Sequence, residues 1–352
     1  MTIDRLRLHR LNVPLVRPFR TSFGTEVVRD LILVEAVSSD GISGWGECVT
    51  MSWPGYSYEY SDTAIDVIGR HLLPALAEAD GDDPHQVRAA LDVVRGHPMA
   101  KTAVSTALLD VWLREQSLSL ATYLGATKTH VDSGVSVGIP TTESIPALLE
   151  EVEGYLDAGY RRIKLKIEPG WDIEPVGAVR ERWPGIRLQT DANQAYQRSD
   201  AQHLAQMDGF DLLLHEQPLH EEDWYGHVLL SQACQTPICM DESIHSVASA
   251  DSAIRFGACS IINIKPGRVG GYLTGKEIHD LCLAEGVPVW AGGMLETGVG
   301  RAANVALAAL PGFTLPGDTS ASNRYYAVDV TEPFVLEDGQ LAVPTGPGIG
   351  VD

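Results

Sequence analysis

A regular step between charged residues constrains this chain more than anything else in it. Asp191 lies 25 positions after Lys166, Glu216 25 after that, Asp241 another 25 and Lys265 a further 24. Each ends a short apolar run, at 162–167, 186–191, 212–216, 237–241 and 261–265. The segments between these runs are amphipathic and of helical length. Strand, helix, strand at a fixed step is the rhythm of successive β/α units, which places the strands parallel with crossover helices outside them. Residues 135–139 read as a strand before this series and 288–294 as one after it. An eighth run at 313–316 is weakened by its prolines. Seven or eight such units suit a closed β/α barrel, and the charged run-ends then gather at the C-terminal mouth.

On a strand, residues i and i+2 share a face, so Lys164 and Lys166 point the same way into the barrel. Two ammonium groups side by side on a buried face require something strongly anionic in front of them. Asp191, Glu216 and Asp241, ending three adjacent strands, supply it. Taken singly, each acid would be read as a cap on the following helix. Three at matched spacing read as ligands for a hard cation, Mg²⁺ first and Mn²⁺ as its substitute, because an all-oxygen set is unlike a zinc site. Lys265, on the sixth strand, faces the second strand across the mouth. It and Lys166 then flank a bound ligand from two sides. Lys164 beside Lys166 favours the neutral form of Lys166 by like-charge repulsion, which a base requires.

Composition removes several classes. A formal charge of −21 disfavours nucleic acid and anionic membrane as partners. No run approaches the length of a membrane-spanning helix, and the first residues lack the apolar stretch of a signal peptide. Five scattered cysteines form no CxxC pair, which fits reduced thiols in a cytoplasm.

The front of the chain keeps a different pattern. Residues 4–16 alternate as a strand and 17–25 read as a loop. A strand over 31–38 turns at Asp40-Gly41 into Gly44-Trp45-Gly46-Glu47-Cys48, and 52–58 is irregular. Helical periodicity covers 62–78, 85–94 and 102–115. This is an α+β unit over 1–130, followed by the barrel over 131–318. The tail, 319–352, loses the period and is expected to return to the front unit.

Other signals carry less. His215-Glu216-Gln217-Pro218-Leu219-His220 imitates a zinc-protease helix, but the histidines are five apart and Pro218 breaks a helix. His215 should point outward as a satisfied core histidine. Gly267-Arg268-Val269-Gly270-Gly271 lacks a phosphate-loop signature and reads as a tight turn. No GxSxG supports a serine hydrolase.

Together, Lys164-Ile-Lys166, Asp191-Ala-Asn193, Glu216-Gln-Pro-Leu219, Asp241-Glu-Ser243 and Asn263-Ile-Lys-Pro-Gly267 resemble the muconate-lactonizing-enzyme subgroup of the enolase superfamily. The runs 162–172, 263–272, 292–303 and 314–322 resemble its N-succinylamino acid racemase and o-succinylbenzoate synthase branch. The resemblance implies a modified (β/α)7β barrel with an α+β capping domain built from both termini. It also implies Mg²⁺ on Asp191, Glu216 and Asp241, and Lys166 and Lys265 as acid/base groups with Lys164 in support; Lys or His bases beside Mg²⁺ are general in that superfamily. Segments 17–25 and 50–58 correspond to mobile capping loops. Phe19, Tyr56, Ser136, Asn193, Gly293 and Met294 correspond to substrate contacts.

The expected reaction is removal of the proton α to the carboxylate of a small substrate. It proceeds through an enediolate, with racemisation or β-elimination as outcomes. N-succinylamino acid racemase activity leads. A dedicated o-succinylbenzoate synthase is the alternative, and a dipeptide epimerase or cycloisomerase ranks lower because Asp318 stands without the Asp-x-Asp pair of the epimerases. A non-catalytic barrel that binds metal and ligand is the reading from another class, disfavoured because binding alone has no use for two opposed lysines. Relatives of this kind are commonly homo-oligomers.

Overall fold

A computed structural model of the chain describes residues 2–78 and 83–352. The front unit opens with strands β1 (Ile3–Thr21), β2 (Gly24–Ser38) and β3 (Ser43–Cys48), an antiparallel meander in that order. The segment 17–25 is therefore not a loop. Phe19 pairs with Glu26, Arg20 with Thr25 and Thr21 with Gly24, so from Phe19 to its tip the segment is a paired hairpin. The pairing slips between Pro14↔Val28 and Phe19↔Glu26, where the ribbon bends over the barrel.

One face of β2, with Ile32, Val34 and Ala36 fully buried, meets the helix Pro98–Glu115 along Ala100, Ala103, Ala107 and Val111. Gly44 and Gly46 permit that approach. A Cβ on Gly46 would lie 2.0 Å from the Ala103 carbonyl oxygen, so any side chain there would push the helix off the sheet. The helical segment expected at 62–78 forms as Ser61–Val67 and Leu73–Ala77, joined through a wider π turn over Ile68–Leu72.

After β4 (His130–Asp132) the parallel strands follow in sequence order. They are β5 (Gly134–Val137), β6 (Arg162–Lys166), β7 (Leu188–Asp191), β8 (His215–Glu216), β9 (Ile238–Met240), β10 (Ile261–Ile264) and β11 (Val289–Ala291). Each is hydrogen-bonded to the next. Among the described residues the eighth place holds no strand. Instead the Gly134 amide donates to Gly317 O at 2.7 Å and the Asp318 amide to Ala291 O at 2.8 Å, so an irregular segment bridges β5 and β11 and closes the ring. Pro316 explains the lost regularity, since it has no amide to give to a ladder. Below the mouth, Leu214, Cys239, Ile261 and Trp290 form a buried inward cluster.

The tail pairs in two places. Strand β12 (Gln340–Ala342) runs antiparallel to β4. Gly348 then exchanges backbone bonds with Leu118 and Leu120, and the Ile349 amide donates to Asp110 on the long front helix. These contacts lock the end of the chain between the barrel and the front unit.

Candidate active site

Alternation along β6 carries Arg162, Lys164 and Lys166 inward, and each meets a carboxylate. Lys166 Nζ donates to Asp191 Oδ2 at 2.6 Å and to Asn193 Oδ1 at 2.5 Å. Lys164 Nζ donates to Asp318 Oδ2 at 2.6 Å and Glu216 Oε2 at 2.9 Å, and lies 3.1 Å from Asp191 Oδ2. Across the mouth, Lys265 Nζ donates to Asp241 Oδ2 at 2.6 Å and to the Tyr56 hydroxyl at 3.3 Å. All three lysines are at least nine-tenths buried.

Their electrostatics differ. Burial, reinforced by the neighbouring Lys164 ammonium, holds Lys166 below the ordinary lysine value against the pull of Asp191. Burial also works against Lys164, but Asp318, Glu216 and Asp191 outweigh it and hold that amine above the ordinary value. Lys265 is likewise raised against burial, by Tyr56, Glu216, Glu242 and Asp191. Lys166 is thus the lysine readiest to be neutral, while the acids around Lys164 and Lys265 favour their protonated forms.

Lys164, Lys166, Lys265, Asn193, Ser136, Gly293, Met294, Phe19 and Tyr56 all line one cleft, partly open to solvent. The nine residues assigned to base chemistry or substrate contact thus reach a common space. Ser136 Oγ is buried there without a hydrogen-bond partner among the described residues. Asp191, Glu216 and Asp241 lie just beneath the lining, each covered by an ammonium group. Among the described residues, no three Asp, Glu, His or Cys side chains already surround one point as a metal centre.

The residues nevertheless suit a hard cation. Three carboxylates on the consecutive strand ends of β7, β8 and β9 offer oxygen donors only. Burial and the charge of Asp191 push the Glu216 carboxyl up, a state relieved by more positive charge than the lysines supply.

Several participants escaped the sequence reading. Asp318 joins Lys164 to Arg162, whose Nη2 it accepts at 2.8 Å, and both cations stack over Trp290. Asn263 donates to Glu216 Oε1 at 2.7 Å, and Glu242 accepts from Asn193 at 3.0 Å. Arg268, in what reads as a mere turn, is buried against Asp241 and donates to Ile244 O and Asn263 O. The sequence signal for Asp318 was its place at the eighth strand end. Arg268 had only its position three residues after Lys265. His215 lies in the core as expected, with Nδ1 paired to Thr190 Oγ1 at 2.6 Å and burial lowering its pKa to about 4, but it is only half satisfied, since Nε2 is buried without a partner among the described residues.

A closed parallel barrel with a capping meander, and lysines facing carboxylates at its mouth, defines an enzyme of the enolase superfamily. Two family models support this. "Mandelate racemase / muconate lactonizing enzyme, N-terminal domain" matches residues 5–125 and "Enolase C-terminal domain-like" matches 147–352. The chain belongs to the mandelate racemase/muconate lactonizing enzyme family. It is 58% identical over 352 residues to an N-succinylamino acid racemase of Amycolatopsis sp, covering 100% of this chain and 95% of the relative. It is 44% identical over 353 residues to an o-succinylbenzoate synthase of Geobacillus kaustophilus, covering 100% and 94%. The solved muconate lactonizing enzyme from Pseudomonas fluorescens, complexed with muconolactone, matches at a TM-score of 0.93 and 26% identity, over 100% of this chain and 96% of that one.

Proposed function

We propose that this enzyme racemises N-acylamino acids, N-succinyl forms first, by removing and returning the proton α to the carboxylate. The observation that carries the reading is the pair of buried lysines entering one cleft from β6 and β10, four places apart in the strand order. Bases on opposite sides reach opposite faces of a carbon held between them. That is what racemisation requires and simple binding does not.

In this reading Lys166, with its lowered affinity for protons, takes the α-proton of one enantiomer, and Lys265 gives a proton to the other face. The roles exchange for the reverse direction. Lys164, held cationic by Asp318 and Glu216, is aimed in advance at negative charge developing on the substrate carboxylate. Asn193, locked between Lys166 and Glu242, sets the direction of the Lys166 amine. Asp191, Glu216 and Asp241 are the groups that would hold Mg²⁺ or Mn²⁺, which when bound would supply Lewis-acid stabilisation of the carboxylate. Phe19 and Tyr56, from the cap, cover the acyl side and exclude water.

o-Succinylbenzoate synthesis is the second reading, favoured by the Geobacillus relative and needing a base on one face only. A dipeptide epimerase is disfavoured, because Asp318 is already committed to Arg162 and Lys164 rather than free for a substrate ammonium. The proposal includes a cytoplasmic homo-oligomer. Cys48, Cys234, Cys239, Cys259 and Cys282 are free and buried, and no helix among the described residues is long and apolar enough to cross a membrane. Tyr225 and Phe256 leave large apolar surface on the outer helices.

The test is proton NMR of both enantiomers of an N-succinylamino acid in D₂O. The wild type should exchange the α-proton of both and interconvert them. Lys166→Ala and Lys265→Ala should each stop interconversion, with residual exchange confined to opposite enantiomers: Lys265→Ala retains exchange of the L form and Lys166→Ala of the D form. Interconversion at the wild-type rate in either variant would sink the two-base reading.

A further inference from the structure

The cap wall of the cleft is mostly apolar, with Phe19, Phe23, Met51 and Tyr56 facing the lysines of the barrel. One cation interrupts it. Arg29, on β2, is 1% exposed and lines the same cleft. Its Nη2 donates to Val49 O at 2.5 Å, while Nε is buried with no partner. A guanidinium has five N–H donors, and leaving them unmet away from water is costly. The lysines on the barrel side are each paired with a carboxylate, and among the described residues Arg29 has no such ion pair. Two acids act on it through space: Asp30, already bound to Arg10, and Glu26, half-buried and also on the cleft wall. Burial pushes the Glu26 carboxyl up, and the charge of Arg29 pulls it back.

From this arrangement we infer that Arg29 is a specificity residue that receives a second, distal carboxylate on the acyl arm of the substrate. The inference rests on the proposed function and narrows it to dicarboxylates: one carboxylate sits at the barrel lysines, the other under the cap. A succinyl arm carries such a group and an acetyl arm does not. Arg29 suits the role because its fork geometry matches a carboxylate and its fixed position costs little to order. Glu26 opposes it, competing for the same guanidinium. This gives two changes of opposite sign. Removing Arg29 weakens recognition of the distal carboxylate, and removing the Glu26 charge strengthens it.

The experiment compares N-succinyl and N-acetyl forms of one amino acid, both by kcat/KM and by calorimetric binding to the complete enzyme. Arg29→Met should lower the succinyl-to-acetyl ratio of kcat/KM by about 10- to 100-fold, mostly through KM, as expected for a buried charge-assisted hydrogen bond. Glu26→Gln should raise that ratio by about 3- to 10-fold. Arg29→Lys should recover part of the loss, because it keeps the charge without the fork. If Arg29→Met reduced both substrates equally, Arg29 would be only a strut for Val49 and the inference would fall. If Arg29→Met does not fold, a ratio unchanged or lowered in Glu26→Gln overturns it instead. The binding measurement separates this from the proposed reaction. Wild-type enzyme that binds the succinyl form more tightly, with the preference lost in Arg29→Met, but turns over neither substrate would uphold Arg29 and refute racemisation. Equal wild-type affinity for the two forms would refute Arg29.

Discussion

Replacing Asp318 by Asn tests whether the closing segment holds the site together by charge. Asp318 is buried at the wall of the cleft and accepts two charge-assisted bonds, at 2.6 Å from Lys164 and 2.8 Å from Arg162. Removing one partner of a buried ion pair costs about 3–5 kcal/mol, because the remaining charge is left uncompensated. Here neither cation would be stranded. Lys164 keeps Glu216 and Asp191, and Arg162 keeps the carbonyls of Pro316 and Val135. The low end therefore applies, about 3 kcal/mol. With an unfolding entropy of roughly 2.1 cal/mol/K per residue, that is a Tm loss of about 4 °C for a chain of this length. The pH dependence gives the sharper check. Lys164 and Arg162 hold Asp318 well below the ordinary value of 3.8 against its burial. A depressed folded-state pKa contributes stability that is complete above the unfolded value and lost as pH falls below it. The gap between wild type and variant should be full at pH 7 and smaller by about 1 kcal/mol at pH 3. Urea or thermal unfolding across that range measures it. A gap unchanged from pH 7 to pH 3 would mean the effect is packing, and no gap at all would remove Asp318 from the electrostatic frame.

Three further expectations follow from individual contacts. Glu216→Gln removes one ligand charge and should weaken Mg²⁺ binding at least tenfold by calorimetry; wild-type affinity in that variant would contradict the assignment of the cation site. Glu47, on β3, accepts from the Thr297 amide at 3.0 Å, Thr297 Oγ1 at 2.6 Å and the Gly300 amide at 2.9 Å, clamping the start of the helix Gly298–Ala308. Glu47→Ala should cost about 3 kcal/mol and raise KM through the neighbouring Gly293–Leu295 wall; a loss of stability with no change in KM would limit its role to docking. Phe19→Ala and Tyr56→Phe should change preference among acyl groups more than Mg²⁺ affinity, and kinetic constants for different acyl arms that moved in parallel would count against the cap as a selector.

The barrel was legible because its period is written in charged residues that no ordinary core tolerates. Lys166, Asp191, Glu216, Asp241 and Lys265 announce both the strand ends and the mouth. What stayed hidden was set by tertiary pairing. The segment 17–25 contains Arg17, Pro18, Ser22 and Gly24, residues typical of loops, yet Phe19, Arg20 and Thr21 pair with Glu26, Thr25 and Gly24 across the ribbon. Residues 212–214 share the apolar character of a strand, but the regular pairing spans only His215–Glu216. Asp318 and Arg268 look like loop residues because their meaning lies in Lys164 and Asp241, far away in sequence. Arg29 sits in an ordinary strand pattern, and only the fold brings it to the cleft wall.

The charges at the mouth also explain how one site can store ammonium groups where a metal ion is expected. Asp191, Glu216, Asp241, Glu242 and Asp318 face Lys164, Lys166, Lys265, Arg162 and Arg268 in a region almost closed to solvent. With every group ionised, positive and negative charges cancel, so the free enzyme avoids a naked buried charge. Once Lys166 is neutral, as a base must be, the cluster carries one net negative charge. In the proposed reaction a divalent cation and one substrate carboxylate would bring that back to zero, and transfer of the α-proton to Lys166 would move charge within the cluster without changing its total. A buried site tolerates such a rearrangement far better than the creation of net charge, because its dipoles and counter-ions are already in place. Asp318 and Arg268 touch no reacting atom in this scheme, yet removing either would leave the balance one charge out.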